Sequence, residues 1–153
     1  MVMEIGKFYF VSKCILINKK NKFLILKRTN YKNDGTENLW DILGGSVDLD
    51  EDVNLAIKRE VREEIQIELN EAKVIGIDSG KGIPSGKKKL SSTQFVFVLF
   101  YSRDYDLKNG IVLSEEHSQY KWISVDEIDN YNFYLTKKRL NIIKNFLINQ
   151  NRR

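Results

Sequence analysis

Runs of apolar residues separated by short polar stretches divide the chain into predicted strands and helices. Residues 8–17 and 22–28 are rich in aromatic and branched side chains, and the polar turn at 18–21 between them predicts a β-hairpin. Further strands are predicted over four stretches: 39–47, broken by a glycine turn, and 73–78, 92–101 and 120–123.

Two other stretches have the 3.6-residue period of a helix. Residues 52–65 begin with acidic side chains, which suit the positive N-terminal end of a helix dipole. Thr136 is a predicted N-cap for a second helix over residues 137–149. Strands interleaved with two helices predict a mixed sheet packed between helices.

The remaining stretches are predicted loops. Residues 29–38 are polar, and residues 79–89 contain three glycines, the only proline and four lysines. The second loop departs from the phosphate-loop pattern because Lys88 stands where serine or threonine is required, so we expect only a basic loop that can contact phosphates. Without a linker or an internal repeat, residues 1–153 are predicted to form one domain.

Composition narrows this picture only a little. The net charge of +4 favours an anionic ligand without specifying one. Cys14 is the only cysteine and lies in an apolar stretch, so a buried thiol and no internal disulfide are expected. No run is long enough for a membrane span, and we expect a soluble cytoplasmic monomer or homodimer.

The first helix departs from simple amphipathicity. Projected at about 100° per residue, three carboxylates lie inside or beside its apolar stripe: Glu60, Glu63 and Glu64. Lys58 and Arg62 point away, and only Arg59 lies beside Glu63. Such a placement is costly unless a cation compensates it, and a hard divalent cation is the natural partner of carboxylate oxygens. An exposed acidic helix with irregular amphipathicity is the alternative.

The segment from Gly45 to Ile67 places these glutamates in a longer pattern of specified residues at fixed spacing. It resembles the Nudix box, G-x5-E-x7-R-E-U-x-E-E-x-G-U, in which U is aliphatic. Eight specified positions match: Gly45, Glu51, Arg59, Glu60, Val61, Glu63, Glu64 and Ile67. The chain therefore resembles the Nudix (MutT-like) hydrolases. Gln66 stands where the family has glycine, and a glycine there would suit a left-handed turn after the helix.

The resemblance implies an α/β fold, an α/β/α sandwich with a central mixed sheet. It implies an enzyme that cuts a diphosphate bond with Mg²⁺ or Mn²⁺ held by Glu60, Glu63 and Glu64. Glu60, Glu63 and Arg59 form the implied catalytic set, in which a glutamate is the general base and Arg59 orients a glutamate. A metal would lower the pKa of its bound water and bridge phosphate oxygens.

Further candidates lie around this helix. Gly44 and Gly45 allow close approach of the backbone to a phosphate. Lys27 and Arg28 either neutralise phosphate or form a solvated strand end. Glu51 either adds a metal ligand or braces the loop before the helix. Aromatic side chains that either stack on a base or pack in the core are Phe10, Tyr31 and Trp40.

A later loop supplies another group of candidates. In some relatives a residue on such a loop is the general base, and Glu115, Glu116 and His117 are of that kind. His117 is the only histidine, and we predict that it is a loop residue facing solvent.

The predicted substrate is a small nucleotide in which a nucleoside diphosphate is linked to another moiety. A nucleoside triphosphate or dinucleoside polyphosphate is the first expectation, and ADP-ribose or an RNA 5′ end is the second. A Nudix-fold module that binds a nucleotide without cutting it is the alternative class, and nucleic acid is not the expected partner. Three carboxylates on a core-facing stripe favour the enzyme, since a pure binder does not need them.

Overall fold

The computed structural model describes residues 6–81 and 93–152. In chain order, this part of the protein contains β1 (Lys7–Leu16), β2 (Phe23–Arg28), β3 (Trp40–Asp41), β4 (Leu43–Ser46), α1 (Val53–Ile65), β5 (Glu68–Lys81), β6 (Thr93–Asp106), β7 (His117–Ile123), a 3₁₀ helix (Val125–Asn130) and α2 (Lys137–Asn151). Both predicted helices are present, each within two residues of its predicted bounds.

The strands form two sheets. The larger has the order β4-β1-β6-β5 and is mixed, because β1 and β6 are parallel while the β1–β4 and β5–β6 pairs are antiparallel. The smaller sheet is antiparallel and has the order β3-β2-β7. The predicted central mixed sheet is confirmed, and the second sheet is an addition to that prediction.

Strand β1 separates two hydrophobic clusters. Cys14 and Leu16 pack in the cluster that contains the buried face of α1, whereas Ile15 and the following Ile17 pack in the cluster that contains α2. Because successive side chains of a strand point to opposite faces, α1 and α2 cover opposite faces of the sheet. The α/β/α arrangement is therefore confirmed.

The predicted hairpin is correct only at its turn. Asn18 N donates to Lys22 O at 2.9 Å, and Ile17 bridges to Phe23. Beyond the turn β1 pairs with β4 and β6, while β2 pairs with β3 and β7. The second half of β1 and most of β2 are buried, each within its own sheet, and the two strands do not pair along their lengths.

Two long strands also depart from their predicted bounds. β5 includes residues 79–81, which were predicted to be loop, and the rest of that predicted loop lies outside the described residues. β6 continues five residues beyond its predicted end because its antiparallel register with β5 extends into a polar sequence, as far as the Glu68–Asp106 pair. Backbone pairing, not side-chain pattern, sets these ends.

Two sequence expectations concern single features of this fold. Cys14 is fully buried as predicted, and its burial raises the pKa of the thiol well above its usual range. Neither helix in the described part of the chain has the length and apolar character needed to cross a membrane.

Candidate active site

The ends of α1 fix the position of the carboxylates it carries. Asp52 is the N-cap, and its Oδ1 accepts the N–H of Asn54 at 2.8 Å. The helix ends at Gln66, which has φ 56° and ψ 37° in the left-handed region. The turn that the family glycine would favour is therefore present, but here a residue with a side chain adopts it.

The three glutamates of α1 differ in their exposure to water. Glu64 is only 5% exposed, and its Oε2 accepts the Gly44 N–H at 2.9 Å. Burial raises the pKa of Glu64 to about 8, against the lowering effects of Lys13 and of that hydrogen bond. Burial also raises the pKa of Glu60, opposed by Arg59. The Glu63 side chain is 57% exposed. The helix thus places one carboxylate in the interior, one at its edge and one at the surface.

These carboxylates face a common recess with a volume of about 190 Å³. Its other walls come from the loop after β2 and the loop before β7. The lining residues are Tyr31, Glu60, Glu63, Glu64, Ser114, Glu115 and Glu116. The structure therefore brings the helix glutamates and the later-loop glutamates together, although the two groups are about fifty residues apart in sequence.

Arg59 connects the helix to the loop before it. Its Nε and Nη2 donate to the two oxygens of Glu51 at 2.8 and 2.9 Å, and Nη1 donates to Glu60 at 3.0 Å and Glu63 at 3.2 Å. Nη2 also donates to the Ser46 carbonyl at 3.0 Å. The hydrogen bond from Arg59, with that from the Asp48 N–H, lowers the pKa of Glu51 to about 2. Glu51 therefore braces this loop, and Arg59 holds two carboxylates of the recess in place.

The glycine pair has a different packing role from the one predicted. Gly44 has φ 122°, and a Cβ there would collide with the backbone of Ser12 and Lys13. A Cβ on Gly45 would lie 2.6–2.7 Å from the carboxylate atoms of Glu60. The groups that approach these glycines closely are therefore β1 and Glu60. A phosphate contact at the same place stays a prediction.

A buried charged pair next to the recess was not found by sequence reasoning. Lys13 Nζ donates to Asp41 Oδ2 at 2.9 Å and to the carbonyls of Ile42 at 3.3 Å and Gly44 at 3.2 Å. The same Gly44 residue donates its N–H to Glu64. The sequence offered one signal for this pair, the position of Lys13 inside the apolar stretch 8–17, but lysines are mostly exposed in folded proteins. The pair supports the backbone that holds Glu64.

Arg28 belongs to the same network. Its Nη1 donates to Asp41 Oδ2 at 3.2 Å, its Nε donates to Thr36 Oγ1 at 2.8 Å, and its guanidinium lies 4.3 Å from the Tyr134 ring centre. These internal partners engage the guanidinium, and a phosphate contact of Arg28 stays a prediction. Lys27, the preceding residue of β2, is only partly buried and stays a candidate.

The prediction that His117 faces solvent is wrong. His117 is 5% exposed because it begins β7, where it pairs with Arg28 and is drawn into the sheet. Its Nε2 lies 3.9 Å from Glu64 Oε1. Burial lowers the pKa of the imidazole to about 4, so the ring is neutral at neutral pH and this contact is not an ion pair. The preceding residue, Glu116, forms an ion pair with Lys32, in which Oε2 lies 3.2 Å from Nζ.

The donor chemistry of the recess can be compared with the needs of a metal ion. Within residues 6–81 and 93–152, no three His, Cys, Asp or Glu side chains already surround a common point. Glu60 and Glu63 instead contact Arg59, and Glu64 contacts Gly44. The set is nevertheless made of carboxylate oxygens on one helix, which is the ligand type that Mg²⁺ and Mn²⁺ take. The three side chains fit such an ion because their oxygens are of the right ligand type and because they line the same recess.

Comparison with known proteins decides the family. The model of the NUDIX domain matches residues 11–146. The chain belongs to this family. A curated relative from Buchnera aphidicola, named 8-oxo-dGTP diphosphatase, is 30% identical over 118 residues, which is 77% of this chain and 79% of the relative. The Nudix box and the MutT-like assignment are thereby confirmed.

Solved structures of Nudix proteins share the fold. The MutT protein from Methanosarcina mazei has a TM-score of 0.72 and 22% identity, with 98% of this chain and 99% of that chain covered. The ORF135 protein from E. coli has a TM-score of 0.73 and 22% identity, with 97% and 94% covered. These structures show the fold, while the family match and the curated relative make the chain a Nudix pyrophosphohydrolase that acts on nucleoside diphosphate-linked substrates.

Proposed function

We propose that this Nudix enzyme hydrolyses a small nucleotide, with a nucleoside triphosphate as the first substrate class, and that Glu60, Glu63 and Glu64 hold the Mg²⁺ or Mn²⁺ it requires. The observation that carries the proposal is that these three carboxylates of one helix line a single recess. We treat residues 1–153 as one Nudix domain, supported by the family match over residues 11–146. Cytoplasmic location and oligomeric state stay predictions.

The burial of the carboxylates supports the cation. Taking Glu64 out of water disfavours its charged form, as the raised pKa of this group shows. A divalent cation offsets that cost because it supplies opposite charge at short range. When bound, such an ion supplies charge neutralisation for phosphate oxygens and acidifies a water molecule.

The side chains around the recess divide the remaining work. A water oxygen forms the new bond to phosphorus, the bridging P–O bond breaks, and the proton of the water goes to a carboxylate. Glu60 or Glu63 accepts this proton, and Glu115 and Glu116 on the facing loop are the other candidates. Arg59 acts through Glu60 and Glu63, which it holds by hydrogen bonds.

The substrate class rests on the recess and on the curated relative. The name of the Buchnera protein, 8-oxo-dGTP diphosphatase, favours a nucleoside triphosphate over a dinucleoside polyphosphate. Tyr31, which is 59% exposed and lines the recess, offers an aromatic surface for a base. Lys27 offers a charge for phosphate. ADP-ribose and RNA 5′ ends remain the second class of substrate.

A substrate screen with purified protein tests the proposal. Nucleoside triphosphates, including 8-oxo-dGTP, are incubated beside dinucleoside polyphosphates, ADP-ribose and triphosphorylated RNA with Mg²⁺ or Mn²⁺, and released phosphate is measured after coupling to a phosphatase. We expect turnover of at least one nucleoside triphosphate and complete loss of that turnover in excess chelator.

Three outcomes contradict the proposal in different ways. Full activity in excess chelator shows that the carboxylates do not act through a metal. Tight oligonucleotide binding that survives high salt, together with no turnover of any small nucleotide, favours the non-catalytic binding module. Cleavage confined to RNA ends keeps the chemistry and rejects the small-nucleotide substrate.

A further inference from the structure

A second groove lies at the other end of β7 from the acidic recess. His117 at the start of β7 lies 3.9 Å from Glu64, which lines the recess, whereas Trp122, five residues along the strand, lines the groove. Five residues of strand span roughly 16 Å. The groove has a volume of about 740 Å³, within the range of small-molecule sites. It is therefore large enough for a ligand and separate from the recess.

The charge of the groove is opposite to that of the recess. Four cationic side chains line it: Lys19, Lys20, Lys22 and Arg103. No carboxylate is among the described residues that form its walls. Lys22 forms a long ion pair with Glu127, in which Nζ lies 4.0 Å from Oε2. A phosphate can thus be neutralised here by protein side chains alone, whereas the acidic recess would repel it without a metal.

Aromatic side chains form the rest of the groove. Tyr105 and Trp122 line it together with the aliphatic Ile17 and Leu107. The hydroxyl of Tyr105 donates to the Ile17 carbonyl at 3.1 Å, which fixes the direction of the ring. Flat apolar surfaces beside cations match a molecule with one aromatic part and one anionic part.

The turn that carries the lysines is held in one conformation. Asn18 Oδ1 accepts the N–H groups of Lys20 at 2.9 Å and Lys22 at 3.0 Å. Arg103 Nη2 donates to Asn21 Oδ1 at 2.9 Å, which ties the turn to β6. A fixed backbone reduces the ordering cost of binding at the lysine side chains.

We propose that this groove is a second binding site, which takes one nucleoside phosphate without metal, with its base against Tyr105 and Trp122 and its phosphate against Lys19, Lys20 and Lys22. The site is independent of the proposed hydrolysis, because it needs neither the glutamates of α1 nor a cation. A free nucleotide and a nucleotide within a nucleic-acid strand share this chemistry, but a groove of about 740 Å³ is the size of a site for one small ligand, which favours the free nucleotide.

Binding measured in excess EDTA tests the site while hydrolysis is silent. The 153-residue protein is titrated with GDP, guanosine, inorganic phosphate and a single-stranded oligonucleotide. Binding is followed by calorimetry and by tryptophan fluorescence, to which Trp122 contributes. We expect GDP to bind and to be displaced by inorganic phosphate. The double variant Lys19→Glu/Lys20→Glu lowers GDP affinity by about tenfold or more, because it replaces attraction by repulsion.

Two control variants keep the result interpretable. Lys137→Glu reverses the charge of an exposed lysine at the start of α2, outside the groove, and leaves GDP affinity unchanged. Glu64→Gln alters the acidic recess and also leaves metal-free binding unchanged. Both groove lysines are exposed on a turn, so the double variant keeps the fold, which a thermal melt verifies.

Three outcomes overturn the proposal. The first is no GDP binding in EDTA up to millimolar concentration. The second is binding that the double variant and Lys137→Glu weaken equally, which shows only a general charge effect. The third is an oligonucleotide that binds far more tightly than GDP with a steep salt dependence, which shows that the groove follows a strand. None of these outcomes bears on metal-dependent turnover at the recess.

Discussion

The two α-helices have similar starts and different buried charges. Asp52 caps α1 and Thr136 caps α2. The buried charge of α2 is Arg139, whose Nε lies 2.9 Å from Asp78 Oδ2, an ion pair by distance although not aligned as a hydrogen bond. The buried ionisable side chain of α1 is Glu64, and no lysine or arginine nitrogen of the described residues lies within 4.0 Å of its carboxyl group. Arg139 is therefore paired inside the protein, whereas Glu64 lacks such a partner and is one of the proposed metal ligands.

The largest expected effect concerns the structural helix. Leu147→Ala removes a buried side chain of α2 from the cluster on that face of the sheet, and we expect the free energy of unfolding to fall by about 2–5 kcal/mol. The kcat of the folded enzyme stays near that of the parent. Urea unfolding and steady-state kinetics check this. A large fall in kcat with unchanged stability would show that α2 is not mainly structural.

The next effect concerns the helix with the unpaired carboxylate. Glu64→Gln keeps the size of the side chain and the acceptor for Gly44 N–H, but it removes the charge for the metal. We expect kcat to fall about 10²-fold, which is about 2.7 kcal/mol of barrier. The melting temperature without metal holds or rises, because a desolvated carboxylate is gone.

An exposed glutamate provides the matched control for this change. Glu68→Gln removes a carboxylate that pairs with Arg62 at the surface, and kcat should not change. Near-normal kcat in Glu64→Gln would mean that the buried carboxylate is not a metal ligand and that the contrast between the helices is only one of packing.

A smaller effect is expected for the residue that holds the glutamates. Arg59→Lys keeps the charge but cannot reach Glu51, Glu60 and Glu63 together, so activity should fall about tenfold, with a higher metal concentration needed for half-maximal rate. Arg62 lies about one turn after Arg59 in the same helix, at the surface. Arg62→Lys therefore serves as the control and should retain activity. Equal effects of the two changes would indicate a general loss of helix stability.

The smallest effect concerns the end of α1. Gln66→Gly places a residue without Cβ at a left-handed position, and we expect the free energy of unfolding to rise by up to about 1 kcal/mol. Gln66→Ala should give no such gain, since alanine carries the same Cβ. Thermal melts of the two variants check this, and equal stability of the two would show that the left-handed strain is absent.

The sequence predicted the helices and the box well because both are local patterns. The Thr136 cap of α2 and the position of Glu60, Glu63 and Glu64 in or beside the apolar stripe of α1 both follow from residues near one another in the chain. The Lys13–Asp41 pair was missed because the two residues are 28 positions apart, and the burial of each charge makes sense only beside the other. The error at His117 has a similar origin, since pairing with Arg28 in another strand sets its burial.

The two faces of β1 have a consequence for how the molecule unfolds. Alternate residues of this strand belong to the cluster beneath α1 and to the cluster beneath α2. Removing β1 exposes both clusters at once, so neither half of the sandwich retains a complete interior by itself. Unfolding should therefore be one cooperative transition, in which loss of packing at α2 also lowers the hydrogen-exchange protection of the glutamate helix on the opposite face.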